Sequence, residues 1–183
     1  MIQKTIAFIF FASLSISWGM CQVKQEISPE KALQLLKEGN QRFVSGQSIK
    51  PNQDIHRIKE VASGQNPFAT VVGCSDSRVP NEIIFDQGVG DLFIVRTAGQ
   101  VSTYASWGSI EFAEEVLGTK LIVVLGHTQC GAVNAAVKLP EVPGHIVTLI
   151  NEGTPVTRPV SVSADRHLFL GMHDIDMVMD GMT

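Results

Sequence analysis

The sequence predicts an α/β domain built on a mostly parallel central β-sheet flanked by helices. Thr70–Gly73 and Leu121–Gly126 are short, uncharged, largely β-branched runs, as strands buried on both faces require. Stretches with helical spacing of apolar residues separate the runs, and strands alternating with helices form parallel sheets. Each run also ends in residues that carry chemistry: Cys74, Asp76 and Arg78 after the first, His127 and Cys130 after the second. Open α/β sheets gather ligands at the carboxyl ends of their strands, so one site assembled from two strand ends is expected.

The 183 residues suit one domain with a sizeable core. A composition 44% hydrophobic and 17% charged is globular, and a net charge of -4 without a long basic run argues against nucleic acid as a partner. The cysteine count of 3 is too low for a disulfide scaffold, and an odd count leaves at least one thiol without an internal partner. Residues 1–20 read as a secretory signal peptide, because Lys4 precedes an apolar run, Thr5 to Trp18, too short for a bilayer span. Export to the bacterial periplasm is therefore expected, with no stable membrane span once the signal is removed. Cys21 raises lipid attachment as a minority reading, but Trp18-Gly19-Met20 is a poor approach sequence for it. Residues 21–183 form the single domain.

Taken in order, Ser28-Pro29-Glu30 opens the first helix, with Ser28 as N-cap, Pro29 in the first turn and Lys31 in the slot where a capping box wants Glu. Ala32, Leu33, Leu35, Leu36 and Phe43 keep helical spacing, with Gly39-Asn40 as a break or kink. A polar loop from Ser45 to Asn52 leads to a short helix over Asp54–Ala62, stopped by Gly64 and Pro67. The first strand covers about Phe68–Gly73, and Asn81–Phe85 forms a short helix after Pro80. Gly88–Asp91 turns the chain into a second strand, Leu92–Arg96. Ser106–Leu117 reads as a helix with Ile110, Phe112, Ala113, Val116 and Leu117 facing inward, ended by Gly118. The Leu121–Gly126 strand follows, then a helix from about Gly131 to Val137. From Asn151 onward, Gly153, Pro155 and Pro159 interrupt any regular pattern, which marks residues 152–183 as atypical.

Thiolate and neutral imidazole are suitable donors for tetrahedral zinc, and three protein donors leave one position open. His127 and Cys130, three apart at a strand-to-helix turn, can converge, and Cys74 ends the neighbouring run. The same cysteines are also compatible with two small core residues, or with a disulfide in an oxidising compartment. Asp76 and Arg78, two apart, point the same way in extended chain, where the guanidinium holds the carboxylate ionised. An ordinary structural ion pair would look the same.

Cys74-Ser75-Asp76-Ser77-Arg78-Val79, together with Gly126-His127-Thr128-Gln129-Cys130-Gly131-Ala132, resembles the β-class carbonic anhydrases. Gln65, Val95-Arg96-x-Ala98-Gly99 and Gly108–Ala113 match as well, and the resemblance runs from about Ser28 to Asn151. It implies a β-carbonic-anhydrase-like fold and one Zn2+ per subunit, held by Cys74, His127 and Cys130. Water or hydroxide would take the fourth position in an active form, and Asp76 would take it in a closed, inactive form. Asp76 and Arg78 would be the dyad that orients the hydroxide. Gln65, Phe93 and Phe112 would line a small apolar substrate pocket partly supplied by a neighbouring subunit, and Gly131 would offer its N–H near the metal. The implied reaction is attack of zinc hydroxide on carbon dioxide to give bicarbonate and a proton, in a homodimer or higher homo-oligomer. Hydrolysis of carbon disulfide or carbonyl sulfide on the same scaffold is an alternative, as is a zinc-binding homologue without turnover. One branch of the family carries an inhibitory bicarbonate site that uses a tryptophan shortly before the first ligand cysteine. Thr70-Val71-Val72 holds none, so that regulation is not expected. After Asn151 the family continues with further helix and a last strand, for which Gly171–Asp176 is the nearest match.

Overall fold

The structure is a computed structural model that describes residues 27–138, 141–153 and 168–170, with backbone alone at 152–153 and 168–170. The expected signal peptide, residues 1–20, and most of the atypical segment 152–183 lie outside the described residues. Among those described, no helix is long and apolar enough to cross a membrane.

In chain order the elements are α1 (Pro29–Val44), α2 (Ile55–Glu60), β1 (Ala69–Cys74), α3 (Asn81–Ile84), β2 (Leu92–Thr97), α4 (Tyr104–Glu115), β3 (Leu121–Leu125), α5 (Gly131–Lys138), α6 (Ile146–Gly153) and β4 (Leu168–Leu170). A single 3-10 turn, Ala98–Gln100, follows β2. The strands form one sheet in the order β2-β1-β3-β4, parallel at every pairing. All six residues of β1 are buried, as its central place demands. Val71 and Ala69 face α1 and α3 in a core with Leu36, Ile84, Leu121 and Val123, while Val72 meets Val95 and Ile122 in a second cluster, against which Ile110 of α4 packs. Gly73 sits level with Arg96 on one side and with Leu125 on the other, so β2, β1 and β3 end within one residue of the same height.

Ser28 caps α1 as its sequence predicts, accepting from the Lys31 N–H at 3.3 Å. The break expected at Gly39-Asn40 does not occur, and α1 runs through both. Gly39 serves close approach instead: a Cβ there would lie 1.8 Å from the Phe85 carbonyl oxygen. Asn40, also buried, donates from Nδ2 to the Ile84 carbonyl at 3.0 Å. The chain beyond α3 is tied down by Asp86, whose side chain is 1% exposed and whose φ is +47°. Its carboxylate accepts from Arg42 Nε at 2.6 Å and from the Ile49 and Lys50 N–H groups at 3.1 and 2.9 Å. Burial works against that charge, but the Arg42 bond and the two N–H donors outweigh it, and the carboxyl is held below its usual range.

One further expectation is corrected. Helix α4 begins at Tyr104, two residues early, and Phe112 and Val116 do not face inward: they are 45% and 63% exposed. Ala113 and Ser106 are its buried residues, with Ile110 and Leu117 half-buried, because the helix meets the sheet along a narrow stripe and its flank faces away. Among the described residues the last strand is Leu168–Leu170, paired parallel with β3; the Gly171–Asp176 segment lies outside the described residues.

Gly39→Ala should destabilise the fold by on the order of 2 kcal/mol, since overpacking outweighs the roughly 1 kcal/mol helix gain of alanine; denaturant unfolding reads this, and an unchanged midpoint would refute the close approach. Asp86→Asn keeps a residue that tolerates positive φ but removes the charge, and should cost about 2 kcal/mol at neutral pH. Because the folded carboxyl titrates below its unfolded value, wild type holds this stability above about pH 4 and loses it as pH falls further. The gap between the two proteins should therefore narrow in acid; a gap that widens would contradict the assignment.

Candidate metal centre

The centre sits where β1 and β3 end side by side. Cys74 is the last residue of β1 and is buried. Beyond β3, Gly126 leads to His127, and Gln129 turns the chain with φ of +53°, so that Cys130 directly precedes α5. The Cys130 carbonyl accepts the Asn134 N–H at 3.0 Å, which makes it the residue that starts the helix. One ligand atom from each of Cys74, His127 and Cys130 lies within 4.8 Å of the others.

Three details show that these residues fit a metal ion such as zinc. The two sulfurs stand 3.8 Å apart as free thiols, not a disulfide. A tetrahedral zinc ion about 2.3 Å from each sulfur would set them about 3.8 Å apart. His127 Nδ1 is 3.0 Å from the Thr128 carbonyl oxygen, so it carries the proton and donates, leaving the Nε2 lone pair free. That Nε2 is buried and has no hydrogen-bond partner, a costly state for a polar atom that no cation engages. Around the sulfurs, the N–H groups of Gly99 and Asp76 donate to Cys74 Sγ at 3.2 and 3.4 Å. Burial pushes the Cys130 thiol up, the nearby Cys74 adds to this, and the N–H groups of Val133 and Ala132 at the start of α5 oppose it. Two buried sulfurs this close need a cation to exist together as thiolates.

Asp76 lies beside this cluster, with Oδ2 3.8 Å from His127 Nε2. Both carboxylate oxygens are engaged by Arg78, Nε to Oδ1 at 2.9 Å and Nη2 to Oδ2 at 2.7 Å, and the Arg78 N–H also donates to Oδ1 at 2.9 Å. These bonds hold the carboxyl far below the usual carboxylate range. Arg78 Nη2 also reaches the Gln129 carbonyl at 3.3 Å, linking the two turns that carry the cluster.

Sequence similarity identifies this arrangement. A sequence model of the carbonic anhydrase family matches residues 69–174, from the first residue of β1 to past β4. The chain belongs to the β-class carbonic anhydrase family. It is 52% identical over 127 residues to carbonic anhydrase 2 of Mycobacterium tuberculosis, covering 69% of this chain and 56% of that protein. The carbonic anhydrase of Mycolicibacterium smegmatis is 51% identical over 132 residues, covering 70% and 64%. The chain thus spans between 56% and 64% of the length of these two relatives. The solved structure of the β-carbonic anhydrase CcaA aligns with a TM-score of 0.51 at 29% identity, covering 68% of this chain and 63% of the other. The family match continues to residue 174, beyond the 28–151 span over which the resemblance is legible by motif.

Not every residue that the β-class resemblance nominates lies at this centre. Gln65 is exposed in the loop ahead of β1, at the opposite end of that strand from Cys74. Phe93 stands level with Thr70, about 13 Å along the strand from Cys74, and its ring packs against Phe112 at 6.3 Å between centroids. Gly131 adjoins the cluster as the first residue of α5. Arg96 and Gly99 do reach the centre, and motif reading assigned them no role; their signal was a charge and a glycine at the end of an apolar strand.

Cys74→Ser, His127→Ala and Cys130→Ser should each lose zinc on dialysis while wild type keeps about one ion per chain, read by elemental analysis. A Cys74→Ser protein with full zinc content would remove Cys74 from the ligand set.

Proposed function

We propose that this chain catalyses the zinc-dependent, reversible hydration of carbon dioxide to bicarbonate and a proton. The observation that carries this is the convergence of Cys74, His127 and Cys130 beside a carboxylate whose oxygens are both fixed by Arg78. Zinc at such a site supplies Lewis acidity, which makes water acidic and nucleophilic near neutral pH.

The chain's own residues supply the rest. Cys74, Cys130 and His127 Nε2 would hold the ion, and two thiolates would offset much of its positive charge. Because Arg78 keeps Asp76 ionised, the carboxylate is an acceptor only. It takes a hydrogen bond from the attacking water and so directs the water's lone pair at the substrate carbon. Both Asp76 oxygens are engaged by Arg78, the arrangement expected of an active form. Val79, Ala132 and Val133, packed around the two cysteines, give the surroundings an apolar character that suits a small nonpolar gas. The proton then leaves to solvent through buffer. Phe93, Phe112 and Gln65 stand too far from their own Cys74 to contact a substrate held there, so their reading as pocket residues requires a second subunit. Phe112, Trp107, Tyr104 and Val116 leave α4 with apolar surface for such an interface.

Stopped-flow indicator assays on the zinc-loaded chain should show carbon dioxide hydration well above buffer. Asp76→Asn should keep the zinc and lose at least about tenfold in kcat/KM. A folded, zinc-loaded wild-type chain with no hydration would sink the proposal.

A further inference from the structure

Arg96 is the last long side chain of β2 before the strand gives way to the 3-10 turn. Its guanidinium forms no ion pair among the described residues. Nε donates to the Cys74 carbonyl at 2.8 Å and Nη2 to the Asp76 carbonyl at 2.8 Å. The ladder between β1 and β2 runs one pair further, to Cys74 and Thr97. Its last bond runs from the Ser75 N–H to the Thr97 carbonyl at 2.9 Å, and the Gly99 N–H turns to Cys74 Sγ instead of to β1 backbone. One planar fork therefore spans the end of the ladder, holding the carbonyls on either side of Ser75.

We infer that Arg96 is a positioning residue for the metal centre: it fixes the peptide groups of Cys74 and Asp76, and through them the thiolate and the carboxylate. This rests on the zinc-dependent reading above. The two carbonyls flank Ser75, which is exposed and places no side chain in the core to hold the turn. With both carbonyls fixed, Cys74 Sγ faces Cys130, and Asp76 faces Arg78 and His127. A guanidinium is suited to this because its donors lie in one plane at fixed spacing; an ammonium group offers a point charge with no fork. Its bonds go to the backbone of the residues that carry the ligand sulfur and the carboxylate, and it acts through that backbone.

The test uses the full chain, loaded with cobalt(II) for one readout and with zinc for the other. Cobalt absorption reports donor geometry, and competition with a chromogenic chelator gives the rate of zinc loss. Arg96→Lys and Arg96→Ala should both shift the cobalt bands, speed zinc release roughly tenfold or more and lower kcat with little change in KM. Added guanidinium ion should partly restore the alanine variant and leave wild type unmoved. Unchanged cobalt spectra and zinc-release rates in a folded Arg96→Lys protein would overturn the inference, as would a lowered melting temperature with no change in either metal readout. The metal readouts need no turnover, so a wild-type chain that binds zinc without hydrating carbon dioxide would fail the proposed function and still decide the role of Arg96.

Discussion

Everything at the centre depends on two parallel strands, β1 and β3, lying side by side in register. Gly73 pairs with Leu125, the last residue of β3, so Cys74, one residue further on β1, emerges against the turn that carries His127 and Cys130. A shift of one residue would move Cys74 about 3.3 Å along the strand and turn its side chain to the other face of the sheet. Register is held by burial on both sides, with Val71 and Val123 in one core and Val72 and Ile122 in the other. The precision of a metal site is here a property of hydrocarbon packing.

Charge at this strand end is managed by two arginines acting differently. Arg78 meets a carboxylate and neutralises it, while Arg96 meets only carbonyls and directs them. With two sulfurs and a carboxylate converging, the region is rich in acceptors. The donors come from Arg78, Arg96, the Gly99 N–H and the start of α5. No single feature carries the electrostatics.

The centre was largely legible in the sequence because its donors follow apolar runs that could only be buried strands. Cys74, His127 and Cys130 come together as their spacing suggests, with Asp76 and Arg78 beside them. Helix α4 was less legible. Apolar periodicity marks a face but does not say what covers it, and Phe112 and Val116 are apolar without being buried in this chain. Gly39 read as a break because a glycine inside a helix has two opposite meanings, weakness or close contact, and only the position of Phe85 decides between them. Helix α6 went unassigned although Ile146, Val147, Leu149 and Ile150 have its spacing, since the run is short. Strand β4 has three residues, too few for any periodicity to show.

The central position of β1 has a consequence for the order of events as the chain is made. A chain synthesised from its amino end releases β1 before β2 and β3, the strands that flank it, exist. Cys74 must then wait for a partner 56 residues further along, with its sulfur open to any oxidant or stray metal in the meantime. Shelter arrives in two instalments, first from β2 and later from β3 with the turn beyond it. Biogenesis of this protein therefore contains an interval in which one ligand of the metal site exists without the two that complete it.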